Sequence, residues 1–305
     1  MRPAPVGGFD PPLAAVRAVV TAALAEDLLP MGDITASLVP ATVEARANFV
    51  ARQAGVLAGV SCVEETFAQL AGPPLGGRAD SAGPAAPSLR LEWACCDGAR
   101  LEPGCVIGTV SGPLALILTA ERTALNLLSH LSGVASATRL LVDAVEAVAP
   151  GCRIRDTRKT TPGLRALEKA AVRAGGGFNH RANLSEAILV KDNHLGGLSI
   201  SEAVTAARTA WPGRHVEVEC DRLDQLDEAL SAGADMVMLD NMDPVQAADA
   251  VERVRSRSGS TPVEVSGRIT LETAAAYARA GVDFISVGAI THSAPVLDIG
   301  LDLAG

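Results

Sequence analysis

Residues 215–240 read HVEVECDRLDQLDEALSAGADMVMLD, and residues 262–288 read PVEVSGRITLETAAAYARAGVDFISVG. Each copy opens on a short β-branched run, passes through a helical pattern and a glycine turn, and closes on a second apolar run. The copies lie 47–48 residues apart, the length of two strand–helix units. Strands alternating with helices at this spacing predict a parallel sheet. Working outward, the same texture predicts six strands, at 153–155, 188–190, 216–218, 236–239, 263–265 and 284–287. Each runs directly into polar or small residues. Asp156, Thr157, Arg158 and Lys159 follow the first, and Lys191, Asp192, Asn193 and His194 follow the second. Glu219, Asp240, Ser266-Gly267 and Gly288 close the other four. In a β/α barrel, ligand chemistry sits at the C-terminal ends of the strands. The last two turns fall where such barrels bind phosphate through backbone N–H groups.

Upstream of residue 150 the pattern differs. A helical period over 13–29 stops before Pro30, and a GDIT turn follows at 32–35. Strands are expected at 43–52, 89–94 and 106–110, with a short helix at 60–71 and an exposed Gly/Pro-rich loop over 72–87. This reads as a small α+β domain. Residues 114–148 are mostly helical, with a break or a close contact expected at Gly133. Arg122, Asn126 and His130 share one face of that helix. Such a stripe faces water or lines a site, and spacing alone favours water.

The chain has 305 residues, room for about two domains or one barrel with an appendage. Hydrophobic residues make up 48% and charged residues 20%, which excludes disorder as the main state. Only eight aromatics and a net charge of -9 argue against a nucleic-acid reader or a protein held on anionic membrane. The longest uncharged stretch, 103–120, is broken by Pro and Gly and does not read as a membrane span. Six cysteines without a C-x-x-C pair, and a Pro-rich start without an apolar signal run, lead to the expectation of a cytoplasmic protein with free thiols.

The 26 basic residues divide into 23 Arg and three Lys, and Lys159, Lys169 and Lys191 all fall in one stretch of 33 residues. Lysine is a compact point charge and arginine a planar fork, so the contrast points to a site. From Arg153 to Lys191 the balance is nine basic against three acidic residues, +6, leaving -15 for the remainder. A cationic focus in an acidic chain suits a small polyanion. Arg158, Arg181 and Arg122 can pair with carboxylates, and Lys159 and Lys191 can neutralise phosphates. Glu219 and Asp240 can hold Mg²⁺ through water, contact ribose hydroxyls, or stabilise an oxocarbenium charge. No Ser/His/Asp set and no HExxH pattern is present, which disfavours acyl-enzyme and zinc chemistry. Together the set fits glycosyl transfer from a phosphorylated sugar.

The segment RDTRKTTPGLRALEKAAVRAGGGFNHRANLSEAILVKDNHL, 155–195, strongly resembles the quinolinate phosphoribosyltransferase family. ERTALNLLSHLSG (121–133), VEVECD (216–221), MLDNM (238–242), ISVGAITHS (285–293) and AEDL…GDIT (25–35) are similar to it as well. The resemblance implies an N-terminal α/β sandwich domain, 1–121, followed by an incomplete TIM-like α/β barrel, 122–305; whether the last ten or so residues pack on the first domain is left open by the sequence. It implies that quinolinate and phosphoribosyl pyrophosphate give nicotinate mononucleotide, pyrophosphate and CO₂ with Mg²⁺ and no organic cofactor. It also implies a homodimer, or a hexamer of dimers, in which Arg122 reaches the partner's site. By the same resemblance, Arg158, His180 and Arg181 hold the quinolinate carboxylates, with Lys159 nearby, and Thr157 is a substrate-binding residue. Lys159 and Lys191 face the phosphoribosyl group and pyrophosphate, and Glu219 and Asp240 face the ribose or the metal. Ser266, Gly267 and Gly288 bind the 5′-phosphate. Arg268 departs from the family's small residue or Asn after Ser-Gly, and either points away or adds a phosphate contact. The alternatives are a barrel aldolase using Lys191 as a Schiff-base nucleophile and a non-catalytic binder of a phosphorylated metabolite.

Overall fold

The structure is a computed structural model, and it describes residues 9–72, 89–257 and 259–304. Most of the loop expected over 72–87 lies outside the described residues. The elements in chain order begin with α1 (Leu13–Leu28), β1 (Glu44–Ala51), β2 (Gly55–Val56), α2 (Val60–Ala71), β3 (Arg90–Trp93), β4 (Arg100–Leu101), β5 (Val106–Pro113) and α3 (Leu114–Glu146). There follow β6 (Arg153–Arg155), α4 (Arg165–Ala174), β7 (Ile188–Val190), α5 (Asp192–Leu195), α6 (Ile200–Ala210), β8 (Val216–Cys220), α7 (Leu223–Ser231) and β9 (Met236–Asp240). The chain ends with α8 (Pro244–Arg257), β10 (Val263–Ser266), α9 (Leu271–Arg279), β11 (Phe284–Ser286), α10 (Ala289–His292) and β12 (Ile299–Leu303).

Two compact units result: Met1–Ala137 with Thr161–Gly176 and Ala294–Gly305, and Thr138–Thr160 with Gly177–Ser293. The expected division at 121/122 falls inside α3, a continuous helix. In the first unit, β1 alternates polar and apolar residues, and its buried side, Ala47, Phe49 and Ala51, faces the core. Antiparallel pairing gives the order β12-β1-β5-β3. Phe49 stacks on Trp93 at 5.6 Å between centroids. Val16, Val20 and Leu24 put the buried stripe of α1 at i, i+4, i+8, and Pro30, two residues past the helix, cannot continue it. Gly133 leaves α3 unbroken. Its lack of a side chain admits the backbone of Pro295, which an added Cβ would strike. The stripe on α3 divides: Arg122 and Asn126 are exposed, while His130 turns to the buried Glu168 at 2.8 Å. Lys169 of α4 is buried in this unit as well.

The second unit is the parallel sheet read from the sequence. Its order is β6-β11-β10-β9-β8-β7, and every neighbouring pair is parallel. Among the described residues no ladder joins β6 to β7, so the barrel is incomplete. Strands β8, β9 and β10 are buried on both faces, as barrel strands covered by helices must be. That burial includes Glu217 and Glu264, whose alternation with valine reads in isolation as a strand with one wet face.

Candidate active site

The parallel strands of the second unit end at a cavity of about 490 Å³. Its wall takes Thr157, Arg158 and Lys159 from the end of β6, His180 and Arg181 from the approach to β7, and Lys191 from the end of β7. Glu219 of β8, Asp240 of β9 and Ser266, Gly267 and Arg268 after β10 complete the expected set. Gly288 sits just behind the wall, where an added Cβ would press on the Lys159 side chain at 3.2 Å. Arg122 is exposed on α3 in the first unit and is not part of this wall. Of the three lysines, Lys159 and Lys191 face the cavity and Lys169 does not.

The turn after β6 is organised by Asp156, which is fully buried. Its Oδ1 accepts the His180 backbone N–H at 2.8 Å, and its Oδ2 accepts the Asn179 amide at 2.6 Å. One carboxylate thus fixes the segment that carries His180 and Arg181. Arg181 donates Nη1–H to the Ala187 carbonyl at 2.9 Å, which aims the rest of its fork. Burial lowers its pKa, and the neighbouring Arg158 charge pushes the same way. The two guanidinium charges repel, and an anion bound to both would relieve that repulsion.

In the same cavity wall, Lys191 Nζ is paired with Glu219. Asp240 accepts the Asn241 amide at 2.7 Å. Burial raises the Asp240 pKa, Lys191 opposes this, and the like charge of Asp221 adds to it. A second hollow, of about 360 Å³, shares Glu219, Asp240 and Asn241 and adds Asp192 and Asp221. The charged groups there are carboxylates, a hard-oxygen donor set that suits Mg²⁺ and not a thiol- or imidazole-seeking metal.

The turn after β10 is conformationally demanding. Gly267 has φ 103°, and a Cβ on it would collide with the Asn241 side chain. Arg268 has φ 46° and Asn241 φ 55°, the two left-handed non-glycine residues of the described chain. The Asn241 N–H donates to the Ser266 carbonyl at 3.0 Å, tying the ends of β9 and β10 together. Arg268 is exposed on the cavity rim, with no ion-pair partner among the described residues.

Sequence reasoning missed the layer beneath the cavity. Arg155 Nη1 donates to Glu264 Oε2 at 2.6 Å, and Ser286 Oγ donates to Glu264 Oε1 at 2.5 Å. His180 Nε2 lies 3.1 Å from Glu217 and 3.5 Å from Glu264. Among the described residues, His180, Glu217 and Glu264 are the one group of three whose donor atoms converge as metal ligands do. A guanidinium already occupies one of those oxygens, so the cluster is a buried ion-pair network and not the expected Glu219/Asp240 metal site. The signal for it is a glutamate between valines in a strand buried on both faces.

Comparison with known proteins gives one answer at every level. The family model described as "Quinolinate phosphoribosyl transferase, C-terminal domain" matches residues 134–302, and the corresponding N-terminal domain matches 33–132. The chain is 43% identical to the nicotinate-nucleotide pyrophosphorylase [carboxylating] of Mycobacterium leprae, over 95% of this chain and 97% of the relative. It is 40% identical to the probable enzyme of that name from Bacillus subtilis, over 89% and 88%. Its fold matches the solved nicotinate-nucleotide pyrophosphorylase of Francisella tularensis with a TM-score of 0.86 and 38% identity, covering 97% of this chain and 98% of that one. The two domain matches and the full-length similarity, on top of a cavity built from the strand ends, place the chain in the quinolinate phosphoribosyltransferase family.

Proposed function

We propose that the chain transfers the phosphoribosyl group of phosphoribosyl pyrophosphate to quinolinate and decarboxylates it, giving nicotinate mononucleotide, pyrophosphate and CO₂. The observation that carries this reading is that Arg158, Arg181, Lys191, Glu219 and Asp240 line one cavity. Two forks suit a diacid, and an acid pair suits a sugar that becomes cationic.

In this reading Arg158 and Arg181 hold the two carboxylates, assisted by Thr157, and set the ring nitrogen in line with C1 of the ribose. Much of the acceleration is then proximity. Ser266, Gly267, Arg268 and Gly288 fix the 5′-phosphate end of the sugar. Lys159 and Lys191 neutralise the departing pyrophosphate, while Glu219 and Asp240 stabilise positive charge on the ribose. Once the nitrogen is bonded to C1 it is quaternary. The pair of electrons left as CO₂ departs from C2 drains toward it, and a proton takes the vacant place. Glu219 and Asp240, with Asp221 and Asp192 beside them, are the residues that would hold Mg²⁺, which supplies charge neutralisation for pyrophosphate when bound. No organic cofactor enters this scheme. The reading extends to a homodimer in which Arg122 enters the partner's cavity, and to a cytoplasmic enzyme. The exposure of Arg122 and the six free cysteines support these two points. No described helix is long and apolar enough to cross a membrane.

A Schiff-base role for Lys191 fits less well, because its ammonium is engaged with Glu219, whereas an amine nucleophile must be freed from such a partner. The test is direct: incubate the protein with quinolinate, phosphoribosyl pyrophosphate and Mg²⁺. Nicotinate mononucleotide, pyrophosphate and CO₂ should appear in equal amounts. Nicotinate in place of quinolinate should give little product. Absence of product from quinolinate would overturn the reading, and borohydride trapping on Lys191 would favour the alternative.

A further inference from the structure

Thr291 is the third residue of the four-residue helix α10, which follows directly on Gly288, and it is 1% exposed. Its hydroxyl has two acceptors within reach, the Gly288 carbonyl at 3.0 Å and the Lys159 carbonyl at 2.7 Å. A threonine in a helical turn commonly bonds the carbonyl three residues back, so the first contact alone is ordinary. The second contact spans 132 residues of chain and is the shorter of the two. A hydroxyl carries one proton, and the nearer acceptor takes the larger share of it.

The two loops joined by this hydroxyl rise from neighbouring strands. Ser286 of β11 pairs with Arg155 of β6, and the Val287 N–H donates to the Arg155 carbonyl at 2.9 Å. Past that bond one chain turns into Thr157, Arg158 and Lys159, and the other into Gly288. Lys159 meets the second loop at two points. Its carbonyl accepts the Thr291 hydroxyl, and its stem lies against Gly288, where an added Cβ would sit 3.2 Å from Lys159 Cδ. Within its own turn, the Lys159 N–H donates to Thr157 Oγ1 at 2.9 Å, and the Thr160 N–H to the Arg158 carbonyl at 3.0 Å. Those bonds shape the turn. The Thr291 bond sets where the turn stands relative to Gly288.

We propose that Thr291 is a positioning residue whose buried hydroxyl ties the Lys159 backbone to the Gly288 turn, and so sets the spacing between the cation for pyrophosphate and the seat of the 5′-phosphate. The inference rests on the reading of the cavity as a phosphoribosyl pyrophosphate site. The 5′-phosphate and the pyrophosphate of that substrate hang from one ribose ring. Receptor groups already fixed at a matching spacing bind both ends without first being ordered. Thr291 does this at one remove: it acts on the Lys159 main chain, and the lysine acts on the substrate.

Two variants of the full-length chain separate the hydroxyl from the space it fills. Thr291→Val keeps the shape and loses the donor, and Thr291→Ser keeps the donor. The first readout needs no ligand: amide hydrogen exchange read by mass spectrometry over residues 157–160. Exchange there should quicken by about threefold or more in Thr291→Val, stay near wild type in Thr291→Ser, and remain unchanged over β8 in both. Equal exchange in wild type and Thr291→Val overturns the proposal, and so does a rise that spreads to β8. The second readout is calorimetric binding of phosphoribosyl pyrophosphate with Mg²⁺ and without quinolinate. Thr291→Val should weaken it about three- to tenfold, the loss of one hydrogen bond, and Thr291→Ser by less than about twofold. In a Lys159→Ala background the same valine change should cost less than about twofold, because the group it positions is gone. Equal weakening in both backgrounds overturns the proposal. Should Thr291→Val fail to fold, Thr291→Ser and Thr291→Ala, which differ by the hydroxyl alone, make the same comparison. Should wild type neither bind phosphoribosyl pyrophosphate nor make nicotinate mononucleotide, the functional reading fails, and hydrogen exchange still decides whether Thr291 holds Lys159.

Discussion

Arg268 holds a backbone conformation that costs an L-residue roughly 1–2 kcal/mol, on the rim of the proposed phosphate turn. Strain kept at a site is paid back by what the side chain does there. Replacing Arg268 with glycine removes that cost but adds backbone entropy to the unfolded chain, about 0.5–1 kcal/mol. We predict that Arg268→Gly is slightly more stable than wild type in thermal melts, by under about 1 kcal/mol. It should also raise the Michaelis constant for phosphoribosyl pyrophosphate severalfold and leave that for quinolinate alone. An unchanged constant would mean the guanidinium points away from the phosphate. Arg181→Lys carries the opposite signature, because an ammonium cannot both reach the Ala187 carbonyl and fork onto a carboxylate. Quinolinate binding should weaken by at least about tenfold with the sugar substrate unaffected. Near-normal turnover at low quinolinate would refute the role. These residues were legible because cationic residues gather around the strand ends of an otherwise acidic chain. Arg155, Glu217 and Glu264 were not, because Val-Glu-Val looks the same in a half-wet strand as inside a barrel. Only the burial of that face in the folded sheet shows which it is.

The GDIT turn was visible in the sequence as punctuation, and the structure gives it a mechanism. Asp33 accepts the backbone N–H groups of Thr35 and Ala36 at 3.0 and 2.8 Å, and the Thr119 hydroxyl of α3 at 3.1 Å. The Ala36 hydrogen bond, more than any other influence, holds the Asp33 carboxyl below its ordinary value of 3.8. A carboxyl with a depressed folded pKa contributes stability that is complete above the unfolded value and is lost as pH falls through the folded one. Asp33→Ala should therefore cost about 1 kcal/mol at neutral pH, with the gap to wild type closing only below about pH 4. Melting curves at several pH values check this, and a gap that persists in acid would assign the effect to packing. In α3, the glycine that sequence reading left as either a break or a contact is a contact. Gly133→Ala should destabilise the first unit by about 1–3 kcal/mol, because the obstacle is the backbone at Pro295 and not a movable side chain. Equal stability of that variant would show that the segment before β12 can yield. The six parallel strands were readable from short apolar runs at regular spacing. The assignment of 161–176 and of β12 to the first unit was not, because those links depend on contacts between residues far apart in the chain.

For the whole molecule the balance of charge is uneven in a way that bears on assembly. The chain carries -9 in total, yet the cavity wall holds Arg158, Lys159, Arg181, Lys191 and Arg268 against Glu219 and Asp240. Arg122, on the first unit, is exposed. If it completes the cavity of a partner subunit, a two-fold dimer contains two identical composite sites. An Arg122→Ala subunit then spoils its partner's site but keeps its own Lys191. A Lys191→Ala subunit spoils its own site but lends an intact Arg122. Each variant alone should be nearly inactive. When equal amounts are mixed and allowed to exchange, half of the dimers are mixed, and each of these has one intact site. Activity should recover to about a quarter of wild type. Recovery requires that the two lesions reside in different subunits of one site. If subunit exchange is confirmed by mass and no activity returns, Arg122 acts within its own chain or not at all, and the shared-site assembly is wrong.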